Sequence, residues 1–418
     1  VLHFRNSDAE DSSPYKEYLH WGIENGGAKI TYCEETFSGS LTIPDTLDGY
    51  PVTVISGGAF SNCTGLTSIS LPDSIVEIGS SAFSGCSNLS YHTYNNAKYL
   101  GDAKNPFAFL IQAVSKDITT CTIYKKTKVI ADSAFYNCTG LTSIEIPDSV
   151  TSIGSSAFYN CTGLTSIEIP NSITTIGSRV FYNCSSLKSI DIPNCEITDY
   201  HQLFYGCGQL ETLTIPFSAA IEGYTLGYMF GTTSFTGSIR IEQYGYSGIS
   251  WGDITYYIPQ TLRSVTISGG KISESAFDNC SSLTEIIIGD KVTMIDEDAF
   301  ENCTGLTSIV IPDSVTSIGD RAFYDCSSLT SVVIGDSVTS IGSYAFYKCT
   351  GLTSVEIPDS VTEMNYGAFY GCSNLSSVTL GNGLTSINSA VFYNCTALTS
   401  IEIPDSVTYI GDSAFKGC

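Results

Sequence analysis

CTGLTSIVIPDSVTSIGDRAFYD, residues 303–325, is one cycle of a pattern that decides the fold. A cysteine opens each cycle, at Cys280, Cys303, Cys326, Cys349, Cys372, Cys395 and Cys418, always 23 residues apart. A fixed period of that length marks a repeat solenoid, in which each coil buries its apolar face only against its neighbours. Ile309 and Ile311 point to one side of an extended segment, because strand side chains alternate. Pro312 brings no N–H to a ladder, and Asp313 and Ser314 favour a turn, so the strand ends in a corner. Residues 315–318 read as a short second strand. Gly319 is expected to take a backbone conformation closed to other residues, and Asp320 to cap a helical turn carrying Ala322 and Phe323. A phenylalanine recurs at Phe277, Phe300, Phe323, Phe346, Phe369, Phe392 and Phe415 and should hold successive coils together. The stacked first strands are expected to form one long parallel β-sheet.

The 418 residues carry a net charge of −24 with only 18 Lys and Arg, so nucleic acid and anionic membranes meet repulsion. No run of about 18 apolar residues offers a transmembrane helix. Residues 1–14 are polar and show no signal-peptide apolar region, and the last cycle stops at Cys418 with no strand after it. Of sixteen cysteines, thirteen share one cycle position: Cys63, Cys86, Cys138, Cys161, Cys184, Cys207 and the seven above. Stacking brings them near one another with parallel Cβ vectors, which suits a ladder of buried free thiols better than disulfides. Cys121 falls where other cycles carry the first strand isoleucine.

Along the chain, residues 1–40 read as a polar tail and a hairpin cap, the hairpin turning at Asn25, Gly26 and Gly27 with Trp21 packed on the first coil. Residues 41–418 carry the repeat, with irregular insertions at about 102–117 and 217–258. KYLG, residues 98–101, stands where VTSIG stands elsewhere, and an extra strand is expected from Phe107. Ile197 and Tyr200 sit one place late, leaving Asp199 in an inward slot. The second insertion gathers Tyr224, Tyr228, Phe230, Phe235, Tyr244, Tyr246, Trp251, Tyr256 and Tyr257, as a private core or as a binding site.

The phrase AFYNCTGLTSIEIPDSVTSIG, carried in near form by residues 157–177 and repeated elsewhere, resembles the leucine-rich repeats of the BspA type, found in bacterial surface proteins and some parasitic protists. The resemblance covers residues 41–418. It implies a right-handed leucine-rich-repeat superhelix of 23-residue coils with short second strands and helical turns. It also implies a bacterial cell-surface or secreted protein that adheres to host matrix proteins or other bacteria. It brings no catalytic residues.

The residues themselves point the same way. His3, His20, His92 and His201 lie too far apart to gather into one site, apart from the terminal pair. No zinc spacing, phosphate loop or nucleophile elbow is present, so no enzyme, cofactor or metal site is expected. Asp73, Asp148, Asp313, Asp359 and Asp405 follow the strand prolines; the reading as a calcium ladder yields to that of turn formers bonding their own backbone. The outward strand position is more informative. It reads Glu145, Glu168 and Asp191 in an acidic column, then Ile287, Val310 and Val333 in an exposed apolar patch, then Glu356, Thr379 and Glu402. Patches of that kind mark contacts. With Tyr228, Tyr246 and Trp251 of the insertion, these residues are the candidate surface for a protein partner. A glycan is the alternative partner, stacked on Tyr136, Tyr159, Tyr182 and Tyr205 or on Tyr324, Tyr347, Tyr370 and Tyr393 in a module of a polysaccharide-degrading system. A purely structural spacer is the third reading.

Overall fold

The computed structural model describes residues 17–216, 225–246 and 251–418, excepting the side chains of Tyr246 and Trp251. The polar tail to residue 16, with His3, and Tyr224 lie outside the described residues. The chain divides into two compact units, residues 1–187 with 195–207 and residues 188–194 with 208–418.

The first unit opens on the antiparallel hairpin Leu19–Glu24 with Gly27–Cys33. Its turn places Asn25 and Gly26 at φ 50° and 79°, the left-handed pair that a two-residue hairpin needs. Trp21 packs against the buried core beside it. The second hairpin strand runs parallel to Tyr50–Ile55, which in turn pairs with Glu77–Ile78. Short strands then follow in parallel register: Phe109–Ala113, Val129–Ile130, Ser152–Ile153, Thr175–Ile176 and Glu196–Ile197. The first strands of the cycle pair as Ser38–Thr42 with Gly65–Ser70 and Thr120–Thr122 with Ser143–Glu145, where Cys121 lies opposite Ile144.

In the second unit, Ser189–Asp191, Thr212–Ile215, Ser264–Ile267 and Glu285–Ile288 form one parallel ladder of first strands. Ser308–Ile311, Ser331–Ile334, Ser354–Glu356 and Ser377–Thr379 form another. The short strands from Gly270–Ile272 to Glu363–Met364 make a ladder of their own. The single long sheet expected from the sequence is thus replaced by several ladders. Strands of three or four residues offer few pairing groups, and the ladder lapses easily.

The core is periodic in both units. Ile309 and Ile311 are buried while Val310 between them is exposed, as alternation requires. Phenylalanine rings stack coil on coil, at 5.4 and 5.9 Å for Phe135, Phe158 and Phe181, and at 5.1 Å for each step from Phe300 to Phe369. The cysteines are free, and fourteen of the sixteen are buried; Cys195 is half-buried and Cys418 exposed. Each repeat thiol has a partner that its hydrophobic character does not announce. Cys161 Sγ donates to Phe135 O and Cys326 Sγ to Phe300 O, both at 3.2 Å, so the sulfur satisfies a carbonyl of the preceding coil. Burial pushes these thiols up, Cys86 to about 11 and Cys207 to about 12.

Four local expectations are corrected. The segment around each phenylalanine is a chain of tight turns and not a helical turn, since two of its residues are left-handed, as Ser156 (φ 56°) and Asn160 (φ 58°) show, and a helix cannot contain them. Gly319 is not needed for a special φ. A Cβ there would sit 2.4 Å from Asp296 C, and Gly342 meets Asp320 N at the same distance, so close approach of the preceding coil fixes the residue. Asp320 Oδ1 accepts from Ser343 N (2.6 Å) in the next coil and not from its own turn. Likewise Asp313 Oδ1 accepts from Asp336 N (2.8 Å) and Asp359 Oδ1 from Asn382 N (2.7 Å), bonding the next coil where a turn to their own backbone was expected. Stacking places a residue 23 positions on nearer than most of its chain neighbours.

The irregular coils also differ from their reading. KYLG does not replace VTSIG: Ala97–Leu100 runs antiparallel to His92–Tyr94 through Asn95 and Asn96, both left-handed, and Phe109–Ala113 takes the VTSIG place instead. Ile197 pairs with Ile176, 21 residues earlier, because the corner has lost two residues. Two are regained before Leu203, and Asp199 is half-exposed there, its Oδ1 accepting from His201 N (2.8 Å), so it holds no inward slot.

Candidate recognition surface

The outward strand position of the second unit runs Asp191, Thr214, Thr266, Ile287, Val310, Val333, Glu356 and Thr379. Inward neighbours fill the core, so the outward side chain is held by the strand yet packed by nothing beneath it. Ile287, Val310 and Val333 are 47%, 58% and 56% exposed. Leaving about half of each β-branched side chain in water on successive coils gives up roughly half of the ~1.5–3 kcal/mol that full burial supplies.

Beside the patch, the corner forms two open grooves that share Val333, Ile334 and Asp336. One holds about 480 Å³ and takes in Asp290, Val310 and Asp313. The other holds about 720 Å³ and takes in Glu356, Asp359 and Thr379. The corner alternates Gly289, Pro312, Gly335, Pro358, Gly381 and Pro404. Its glycines are tight: a Cβ on Gly335 would lie 2.7 Å from Pro312 O, and one on Gly381 2.4 Å from Pro358 O. The result is an apolar strip with a carboxylate wall, Asp290, Asp313, Asp336 and Asp359, along one side.

The remaining predicted residues lie outside the patch, Asp191 at the start of the same column. Glu145 and Glu168 are exposed at the same coil position in the first unit. Asp191 belongs to the second unit, and its Oδ1 accepts from Thr214 Oγ1 at 2.5 Å. Tyr228 is half-buried on the helix Leu226–Phe230, which Thr225 caps. Tyr246 and Trp251 are partners at the end of the antiparallel pair Ser238–Tyr246 and Trp251–Pro259; their side chains lie outside the described residues.

The described part of this insertion buries apolar side chains. Leu226, Met229, Phe230, Ile241, Tyr256 and Ile258 are buried there. Gln243, 1% exposed, accepts from Gly227 N (2.8 Å) and donates to Asp278 O (2.9 Å), tying the insertion to the coil below. Asp278 on that coil is lifted to about 7, first by burial and then by Glu301. Asp298 is likewise held above the usual carboxylate range by burial and by Glu301.

Sequence reading found the tyrosine columns but not their geometry. Tyr136, Tyr159, Tyr182 and Tyr205 stack ring on ring at 4.4–4.8 Å, and Tyr324, Tyr347, Tyr370 and Tyr393 at 4.4–5.1 Å. Ring faces inside a column are therefore covered by other rings, and edges reach solvent. Tyr344 and Tyr366 were missed. Tyr344 meets Tyr347 and Tyr366 edge to face at 5.4 and 5.2 Å, and its ring lies where a Cβ of Gly367 would be. The available signal was that glycine, 23 residues after Tyr344. Among the described residues, no His, Cys, Asp and Glu gather into a set able to hold a metal ion, and no helix is long and apolar enough to cross a membrane.

Comparison with solved structures finds leucine-rich repeat proteins. One from Bacteroides ovatus is 22% identical over 96% of this chain and 91% of its own, with a TM-score of 0.34. One from Eubacterium ventriosum is 22% identical over 96% and 93%, with a TM-score of 0.35. A leucine rich cell surface protein from Faecalibacterium prausnitzii is 26% identical over 97% and 96%, with a TM-score of 0.28. The comparison with curated proteins found no match. The BspA type leucine rich repeat region matches in six copies, over residues 31–109, 112–233, 240–350 and 293–418. With its coils, phenylalanine stacks and thiol ladder in that repeat, the chain belongs to the BspA-type leucine-rich repeat family.

Proposed function

We propose that this protein is a non-catalytic recognition and adhesion protein, secreted or held on a bacterial surface, that binds another protein through the exposed strand face of its second unit. In this reading residues 1–40 cap a right-handed repeat region, and Tyr228, Tyr246 and Trp251 of the insertion add a further contact. The observation that carries it is the run Ile287, Val310 and Val333, each about half exposed on successive coils, where the same strand position elsewhere holds Thr, Ser, Glu or Asp. Exposed apolar patches rimmed by polar groups are the usual mark of an interaction site. The carboxylate wall of Asp290, Asp313, Asp336 and Asp359 favours a partner with an apolar centre and a basic rim, since complementary charge steers encounter and fixes register.

The test is retention of purified matrix proteins and bacterial surface proteins on the immobilised chain, compared with the triple substitution Ile287→Asp, Val310→Asp and Val333→Asp. A partner retained by the parent protein and lost by the triple variant is the expected result. No retained partner, or retention unchanged by the three aspartates, would falsify the reading.

A further inference from the structure

The first unit contains a concavity of a different kind, where the chain between residues 90 and 120 leaves the regular winding. Asp132 N donates to Ile78 O (2.9 Å), so the coil of Ile78 is followed in space by that of Asp132. Ser80 Oγ and Ser133 Oγ stand 3.1 Å apart across the seam. Phe83 stacks on Phe60 at 5.2 Å and lines a cavity of about 330 Å³ at this place. Its floor is apolar, with Phe83, Ile111 and Ala131 all buried. Its rim is polar, with Ser84, Gln112, Ser133 and Asp132. Asp132 is fixed in orientation, its two oxygens accepting from Ser155 N (2.7 Å) and Ser80 N (3.2 Å).

Tyr136 closes one side. One face of its ring stacks on Tyr159, and the Lys116 ammonium lies over the ring at 5.7 Å while bonding Tyr136 O. Tyr136 is thus the end of its column, where a ring face is not taken by another tyrosine. One cation and one carboxylate at the rim select against strongly charged ligands of either sign. What the walls offer is an apolar floor under a circle of hydroxyl, amide and carboxylate groups that can fix a ligand's orientation. A pyranose ring is the complement, with a C–H face and a girdle of hydroxyls. We infer that this cavity binds a single neutral sugar residue, such as the terminal unit of a glycan. The site is independent of the protein-binding surface proposed for the second unit.

Saturation-transfer difference NMR on the full chain tests this with methyl α-glucopyranoside, methyl β-galactopyranoside and methyl N-acetyl-β-glucosaminide, and with p-cresol as a planar aromatic control. Transfer to at least one glycoside is expected. It should be abolished by Ser84→Trp, which fills the cavity from an exposed turn, and weakened by Gln112→Ala, whose side chain is also exposed. Both variants are expected to melt as the parent does. If Ser84→Trp does not fold, Gln112→Ala decides alone. Transfer to no glycoside, transfer to p-cresol only, or signals unchanged in the folded variants overturns the assignment.

Discussion

Glu145 and Glu168 in the first unit and Val310 and Val333 in the second occupy the same place in the coil, on strands of the same register, and all four are exposed. Their chemistry is opposite. The inward neighbours, Ile144 and Ile167 on one side and Ile309 and Val332 on the other, are all buried and all aliphatic. The fold dictates the inward position and leaves the outward one open. The outward column is therefore where selection for a partner is free to act without cost to the coil, and the apolar run is the part of it that solvent alone does not favour.

The contrast is broken most severely from within. Phe323→Ala removes a ring stacked at 5.1 Å between Phe300 and Phe346, and is expected to cost about 3–5 kcal/mol in chemical unfolding. A loss below 1 kcal/mol would show that the rings do not bind the coils together.

A second expectation compares carboxylates. Glu145 is exposed on its strand, whereas Asp278 is partly buried beneath the insertion and lifted to about 7. A carboxyl of pKa about 3.9 in the unfolded chain releases its proton earlier than the folded protein does. Between those values the native state holds more protons, so stability falls as pH rises from about 4 through about 7 and levels off above. Asp278→Asn should flatten that slope, read as melting temperatures at pH 5 and pH 8. An unaltered slope in Asp278→Asn would remove this carboxyl from the account.

The smallest effect belongs to the outward column itself. Val310→Glu imports the chemistry of the first unit and is expected to change stability by no more than about 0.5 kcal/mol. A larger loss would show that the apolar run is structural after all, and would weaken its use as a binding face.

Much of this was legible in the residues. The 23-residue period, the inward isoleucines, the phenylalanine at every turn and the free buried cysteines all follow from spacing and side-chain character. What stayed hidden has a common cause. Gly319, Asp313 and Asp320 were read against their neighbours along the chain, but the atoms that constrain them lie in adjacent coils. The stacking of Tyr159 on Tyr182 and the bond from Cys161 to Phe135 O are likewise contacts between coils. The turn at Asn95 and Asn96 was local and readable, yet the expectation of another regular cycle masked it. The outward column was found because strand alternation is local; the grooves beside it were not, because they arise only when corners are piled together.

The corner of the second unit has an evolutionary consequence. Between residues 289 and 404, glycine and proline alternate, and two of the glycines are fitted against the proline carbonyl just before them. The period of that corner is therefore a pair of coils, 46 residues, and not one. Gain or loss of 46 residues by unequal recombination leaves every corner facing its accustomed neighbour, whereas gain or loss of 23 sets proline on proline or glycine on glycine.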